Sequence, residues 1–156
     1  MLIGYSALKR KGYEIDRLIE LIGSIIDQNR ISKAAIVGMG NLGRALVGYL
    51  QGKRAKLEIA ATFDVDPQKT GKLFSGVTCY PIDNLHEVIK KENITIGIIT
   101  VPPGVANETA EKLVAAGIKG ILNYTPLALK VEPSVYLEEY DMITSVEKVA
   151  YYANSL

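Results

Sequence analysis

The hexapeptide Gly38-Met39-Gly40-Asn41-Leu42-Gly43 constrains this chain more than any other stretch, because it joins the apolar run Ala34 to Val37 directly to the amphipathic run Asn41 to Leu50. A buried strand that stops at glycine and turns at once into a helix needs the first glycine for the tight turn. The second lets a backbone approach a pyrophosphate, the third lets helix and strand pack closely, and the helix N-terminus is left aimed at the phosphates. A second strand, Leu57 to Phe63, is followed by Asp64, a little beyond the roughly 20 residues expected for an acid that hydrogen-bonds an adenosine ribose. Val65 and Asp66 follow in the same loop, and no arginine directly succeeds Asp64. A ribose 2′-phosphate there meets carboxylate repulsion, so the pattern favours NAD(H) over NADP(H).

Strands and helices alternate through the rest of the chain. Short strands are expected at Val77 to Tyr80, Ile94 to Val101 and Ile118 to Leu122, with helices at Ile82 to Lys91 and Val105 to Ala116. A turn or short helix is expected after Pro133, and a last helix over Thr144 to Leu156. Ahead of the fingerprint, Ile15, Leu18, Ile19, Ile22, Ile25 and Ile26 recur at helical spacing over residues 14–27. Such alternation implies right-handed crossovers and an α/β fold, a Rossmann-like doubly wound parallel sheet covered on both faces. Ligands of such sheets bind beyond the C-terminal strand ends. Two further loops lie there, Thr100-Val101-Pro102-Pro103-Gly104 and Asn123-Tyr124-Thr125-Pro126, whose prolines fix the backbone and offer apolar surface to a nicotinamide ring.

Composition narrows the function classes. With 156 residues, 48% hydrophobic and 22% charged, the chain is sized for one ordinary folded domain with a short helical appendage. Eighteen Lys and Arg against 17 Asp and Glu lack the basic excess of a surface that binds nucleic acid by charge alone. One cysteine, Cys79, excludes an intrachain disulfide and a multi-cysteine metal site. Pro102 and Pro103 interrupt the most apolar stretch, so no membrane span is expected, and without a secretory pattern the protein is read as cytoplasmic. The single histidine, His86, reads as a solvated helix residue and Cys79 as a packing residue; neither belongs to a catalytic or metal-ligand arrangement. A nucleotide-binding domain without catalytic equipment points to a sensor.

Three segments, GMGNLGRAL, FDVDPQKTGK and ITVPPGVANETAEKLVAAGIKGILNYTP, resemble the family of redox-sensing transcriptional repressors named Rex, over about residues 10 to 152. The resemblance implies an NADH-binding Rossmann domain, paired in the family with an N-terminal winged-helix DNA-binding domain, in a homodimer that swaps its C-terminal helix. It implies that Gly38, Gly40 and Gly43 hold the pyrophosphate and Asp64 the adenosine ribose. Thr100, Val101 and Pro102, with Asn123, Tyr124, Thr125 and Pro126, are implied to line the nicotinamide side. Tyr49 matches a family tyrosine that hydrogen-bonds an aspartate of the other subunit, and that aspartate falls on Asp141. In isolation Asp141 reads as a turn or cap residue. Met142 stands where the family usually has an aromatic residue. By the same resemblance NADH closes the dimer and releases DNA.

The winged helix itself is expected to be missing, with Gly4 to Tyr13 as the tail of its wing, so the chain is expected to bind an operator only if that domain is supplied. Either a fragment or a short relative fits this reading. The expected division is 1–30 for the wing remnant and connecting helix, 31–140 for the Rossmann domain and 141–156 for a dimerisation helix. Among Pro102, Pro126 and Met142 a neutral dihydronicotinamide gains apolar contact that the cationic ring of NAD+ obtains only at a desolvation cost, so NADH is expected to be preferred. A carboxylate of Asp141 facing the ring freely would reverse that sign. Competing readings are a CoA-binding module of the succinyl-CoA ligase α type, a compact NAD-dependent reductase, and a purely structural dimerisation protein.

Overall fold

A computed structural model describes residues 11–27, 30–53 and 56–156. Two compact units divide it, Met1–Ile31 and Ser32–Leu156. In the first, helix α1 spans Lys11–Asp27, and Ile15, Leu18, Ile19 and Ile22 on its apolar stripe are all exposed. The expected wing tail at 4–13 lies outside the described residues except at its helical end.

The second unit is built on a seven-stranded sheet. Its strands are β1 (Ser32–Val37), β2 (Leu57–Asp64), β3 (Leu73–Phe74), β4 (Val77–Pro81), β5 (Ile96–Ile99), β6 (Gly120–Asn123) and β7 (Tyr136–Glu139). They lie in the order β3-β4-β2-β1-β5-β6-β7, and every pair is parallel except the β3–β4 hairpin. Helices α2 (Asn41–Leu50), α3 (Leu85–Glu92) and α4 (Ala106–Ala115) make the crossovers, and α5 (Met142–Asn154) ends the chain. Strand alternation splits the core into two layers. Ala35, Val37, Phe63 and Ile99 point to the α3 and α4 face, while Ala34, Ile36, Ile59 and Ile98 join Val47 of α2 on the other. Gly97 of β5 is what lets α4 approach: a Cβ there would stand 2.8 Å from Leu113 Cδ1.

Two strands depart from the expectation. After the turn at Pro133 the chain forms the edge strand β7 and not a short helix, because it pairs in parallel with β6 from Gly120↔Tyr136 to Asn123↔Glu139. The two-residue β3 folds back on β4 through Ser75 and Gly76, both with positive φ, and adds an antiparallel strand at the opposite edge. The last helix starts at Met142, two residues earlier than its apolar pattern indicates, because Asp141 caps it.

The order of strands reverses between β1 and β5. The chain runs outward from β1 to β2 and β4, then returns to β5 on the other side, which opens a crevice at their C-terminal ends. No helix among the described residues is long and apolar enough to cross a membrane.

Candidate functional site

The loop after β1 forms one wall of the crevice, and its conformation depends on two glycines. Gly38 has φ +104°, and a Cβ on it would lie 2.7 Å from the Thr100 carbonyl oxygen. A Cβ on Gly43 would collide with the Gly38 carbonyl oxygen, so the first turn of α2 lies directly on the loop. The position of a Cβ on Gly40 meets no atom within 4 Å, which leaves open space above the middle glycine. Gly40 is also the N-cap of α2 and supplies no side-chain acceptor for the first-turn N–H groups. Those donors therefore remain available to an anion.

Asp64 fastens this loop to the end of β2. Its Oδ2 accepts from the Met39 backbone N–H at 2.7 Å and its Oδ1 from the Asp66 N–H at 2.8 Å. The Met39 side chain is buried in the α2-side core, so that residue faces the site only through its backbone. Lys69 Nζ stands 3.8 Å from Asp64 Oδ2. The second wall is cross-tied to the first: the Thr100 hydroxyl lies 2.7 Å from the Gly38 carbonyl oxygen and 3.0 Å from that of Val37.

Between the walls lies a cleft of about 330 Å³. Of the residues singled out in the sequence, Gly38, Asp64, Val65, Val101 and Pro102 line it. Val37, Ile82, Val105, Glu108, Thr109 and Lys112 line it too, and none of these had been singled out. A signal for four of them was present, since 105, 108, 109 and 112 share one helical face immediately after the Thr100 to Gly104 loop. The lining is largely apolar, with the Glu108–Lys112 ion pair, 2.9 Å long, at the helix. A flat heteroaromatic group between aliphatic walls, joined to a sugar near Asp64 and an anion near Gly40, matches that distribution of polarity.

The loop after β6 is held from within. Asn123 is fully buried; its Oδ1 accepts from the Thr125 N–H and hydroxyl, and its Nδ2 donates to the Leu127 carbonyl at 2.8 Å. Asn123 and Thr125 thus shape the loop, while Pro126 is exposed and the Tyr124 ring meets that of Tyr140 at 5.1 Å, tilted by 49°. Burial first, and Tyr140 second, push the Tyr124 phenol up. Asn41 and Val65 are exposed and Leu42 is half-buried.

The remaining candidates lie at surfaces. Tyr49 is exposed on α2, and Met142 is exposed at the start of α5. Asp141 is the N-cap of α5, where the hydroxyl and N–H of Thr144 donate to its carboxylate and hold it below the usual carboxylate range. Cys79 is buried in β4, and desolvation pushes its thiol up. His86 is exposed on α3. Among the described residues, no group of three or more His, Cys, Asp or Glu side chains is placed to hold a metal ion.

Residues 29–127 match the family described as CoA binding domain. The redox-sensing transcriptional repressor Rex of Leuconostoc citreum strain KM20 is 37% identical over 153 residues, covering 97% of this chain and 71% of that protein. The chain belongs to the Rex family. Rex of Syntrophobacter fumaroxidans is 37% identical over 150 residues, with 96% of this chain and 71% of that protein covered. The crystal structure of the Rex-family repressor RSP with β-NAD+ and operator DNA superposes with a TM-score of 0.79 at 30% identity, over 94% of this chain and 68% of that one. RSP in complex with β-NADH gives 0.77 over 90% and 68%. A scyllo-inositol dehydrogenase from Lactobacillus casei, 19% identical with a TM-score of 0.58, shares the fold. In this Rex chain the CoA binding domain match spans β1 through the loop after β6 and leaves α1 and α5 outside.

Proposed function

We propose that the chain is the NADH-sensing portion of a Rex-type repressor, a regulator and not an enzyme. The observation that carries this reading is the tie between Asp64 and the Met39 N–H, which sets a ribose-directed carboxylate against an open, glycine-lined helix N-terminus at the topological switch point. The empty space over Gly40 is the cradle that a pyrophosphate needs. Gly38, Gly40, Asn41, Leu42 and Gly43 hold the phosphates through backbone groups, and Asp64 holds the adenosine ribose. Val101 and Pro102, expected on the nicotinamide side, line the same cleft as Asp64, and with Val65, Ile82 and Val105 they wall the adenine. Asp66 supports Asp64, and Thr100 with Tyr124 and Pro126 borders the nicotinamide side. The bound dinucleotide supplies a ring whose charge differs between its two oxidation states. The chain's part is to offer apolar surface, which favours the neutral ring.

Residues 1–30 are the wing remnant and connecting helix, 31–140 the cofactor-binding domain and 141–156 the dimerisation helix. The exposed side chains Met142, Ile143, Val146, Val149, Tyr151 and Tyr152 of α5 support a homodimer in which this helix packs on the partner, bringing Asp141 to the partner's Tyr49. Operator binding requires the winged-helix domain, and the protein works in the cytoplasm, where NADH and DNA coexist. The CoA binding domain match keeps one second reading in play, since the same loop can take a CoA pyrophosphate. Calorimetric titration with NADH, NAD+, NADPH and CoA in one buffer separates them. The expected result is NADH much tighter than the other three, with no NADH consumed over hours. Binding of CoA with silence toward both nicotinamides would overturn the proposal.

A further inference from the structure

Lys69 reaches Asp64 from a tightly built turn. Asp64 Oδ1 accepts from the Asp66 N–H, Asp66 Oδ1 accepts from the Gln68 N–H at 2.9 Å, and the Asp66 carbonyl accepts from the Lys69 and Thr70 N–H groups. These bonds turn the chain back and place the Lys69 ammonium 3.8 Å from the same oxygen, Oδ2, that the fingerprint loop binds through Met39. The Asp64 side chain is only 10% exposed and that of Lys69 28%, so water screens this pair less than a surface pair. Asp64 by itself repels any anion attached to the ribose hydroxyl it holds. A fixed cation beside the same oxygen opposes that repulsion.

We propose that Lys69 is a specificity-determining residue, which sets how strongly the site refuses a 2′-phosphorylated dinucleotide. This rests on the NADH-binding reading above. Lys69 attracts the pyrophosphate of NADH and NADPH alike, and that shared part cancels in the ratio of their dissociation constants. What remains is its attraction for the 2′-phosphate, about −2 in charge at neutral pH. Replacing Lys69 therefore widens the preference for NADH over NADPH.

The test measures both dissociation constants by calorimetry for the wild-type chain and for Lys69→Gln, Lys69→Met and Lys69→Arg, with thermal melting of each as a check on folding. The NADPH-to-NADH ratio is expected to rise about tenfold in the Gln and Met variants, the scale of one partly screened charge at close range. It should stay within about twofold of wild type in the Arg variant, and the Gln effect should shrink at high salt. Where NADPH binds the wild type too weakly to resolve, the same comparison is made in an Asp64→Asn background. There NADPH binding should emerge and then fall about tenfold when Lys69→Gln is added. An unchanged ratio in folded Lys69→Gln protein that still binds NADH overturns the role of Lys69 alone, as does silence toward NADPH in the Asp64→Asn chain. A wild-type chain that does not bind NADH overturns the functional reading and this inference with it.

Discussion

Replacing Asp64 with alanine should damage the fold before it affects any ligand. The carboxylate accepts two backbone hydrogen bonds, of 2.7 Å from Met39 and 2.8 Å from Asp66, while only 10% exposed. Hydrogen bonds to a charged group are each worth about 1.5 to 3 kcal/mol, and the Met39 donor left behind belongs to a fully buried residue. Allowing for partial access of water on the Asp66 side, the loss comes to about 3 kcal/mol. For a chain of this size that lowers the melting temperature by roughly 10 °C. Thermal unfolding of the unliganded protein, followed by far-ultraviolet circular dichroism, measures it directly. Asp64→Asn keeps one acceptor and should lose about half as much. If Asp64→Ala melted within about 1 °C of wild type, the idea that this carboxylate fastens the fingerprint loop would be wrong, and its role would be confined to the ligand.

Three further outcomes are expected. Gly43→Ala drives a methyl group into the Gly38 carbonyl, and should cost about 3 kcal/mol in urea unfolding and abolish NADH binding by calorimetry. Cys79 has its pKa raised by burial, so the folded chain keeps the thiol proton where the unfolded chain has lost it. Stability should fall as pH rises above the unfolded thiol's pKa, Cys79→Ser should flatten that alkaline slope, and Cys79 should resist alkylation at neutral pH until the protein unfolds. Asp141 is depressed by its Thr144 hydrogen bonds, so its contribution is complete above the unfolded carboxyl's pKa and disappears as pH falls through the folded one. Acidification or Asp141→Ala should fray α5, seen as reduced helical ellipticity, and removal of residues 142–156 should leave a monomer in sedimentation.

Legibility in the sequence followed how many independent constraints each element carried. The segment from β1 through α2 was readable residue by residue, because a positive φ at Gly38 and contact of Gly43 with the loop restrict both positions to glycine. The strands β3 and β7 were not. β3 has two residues, and of the four in β7 only Leu137 joins the core, too little for an apolar period to register. The stripe from Val105 to Lys112 was visible as a helical face, but only the folded sheet shows that this face borders the crevice. Lys69 was hidden for another reason: its approach to Asp64 depends on successive hydrogen bonds from Asp64 to Asp66 and from Asp66 to Gln68, which spacing alone does not encode.

The tie between Thr100 and the Gly38 carbonyl limits how information can leave the crevice. Thr100 ties the two walls to each other and Asp64 clamps the loop, so opening the crevice at this point means breaking those hydrogen bonds. A ligand can bias an equilibrium only between states it binds differently. Among the helices of the second unit α5 alone has no buried residue along its length, so its packing is the one that the sheet does not fix.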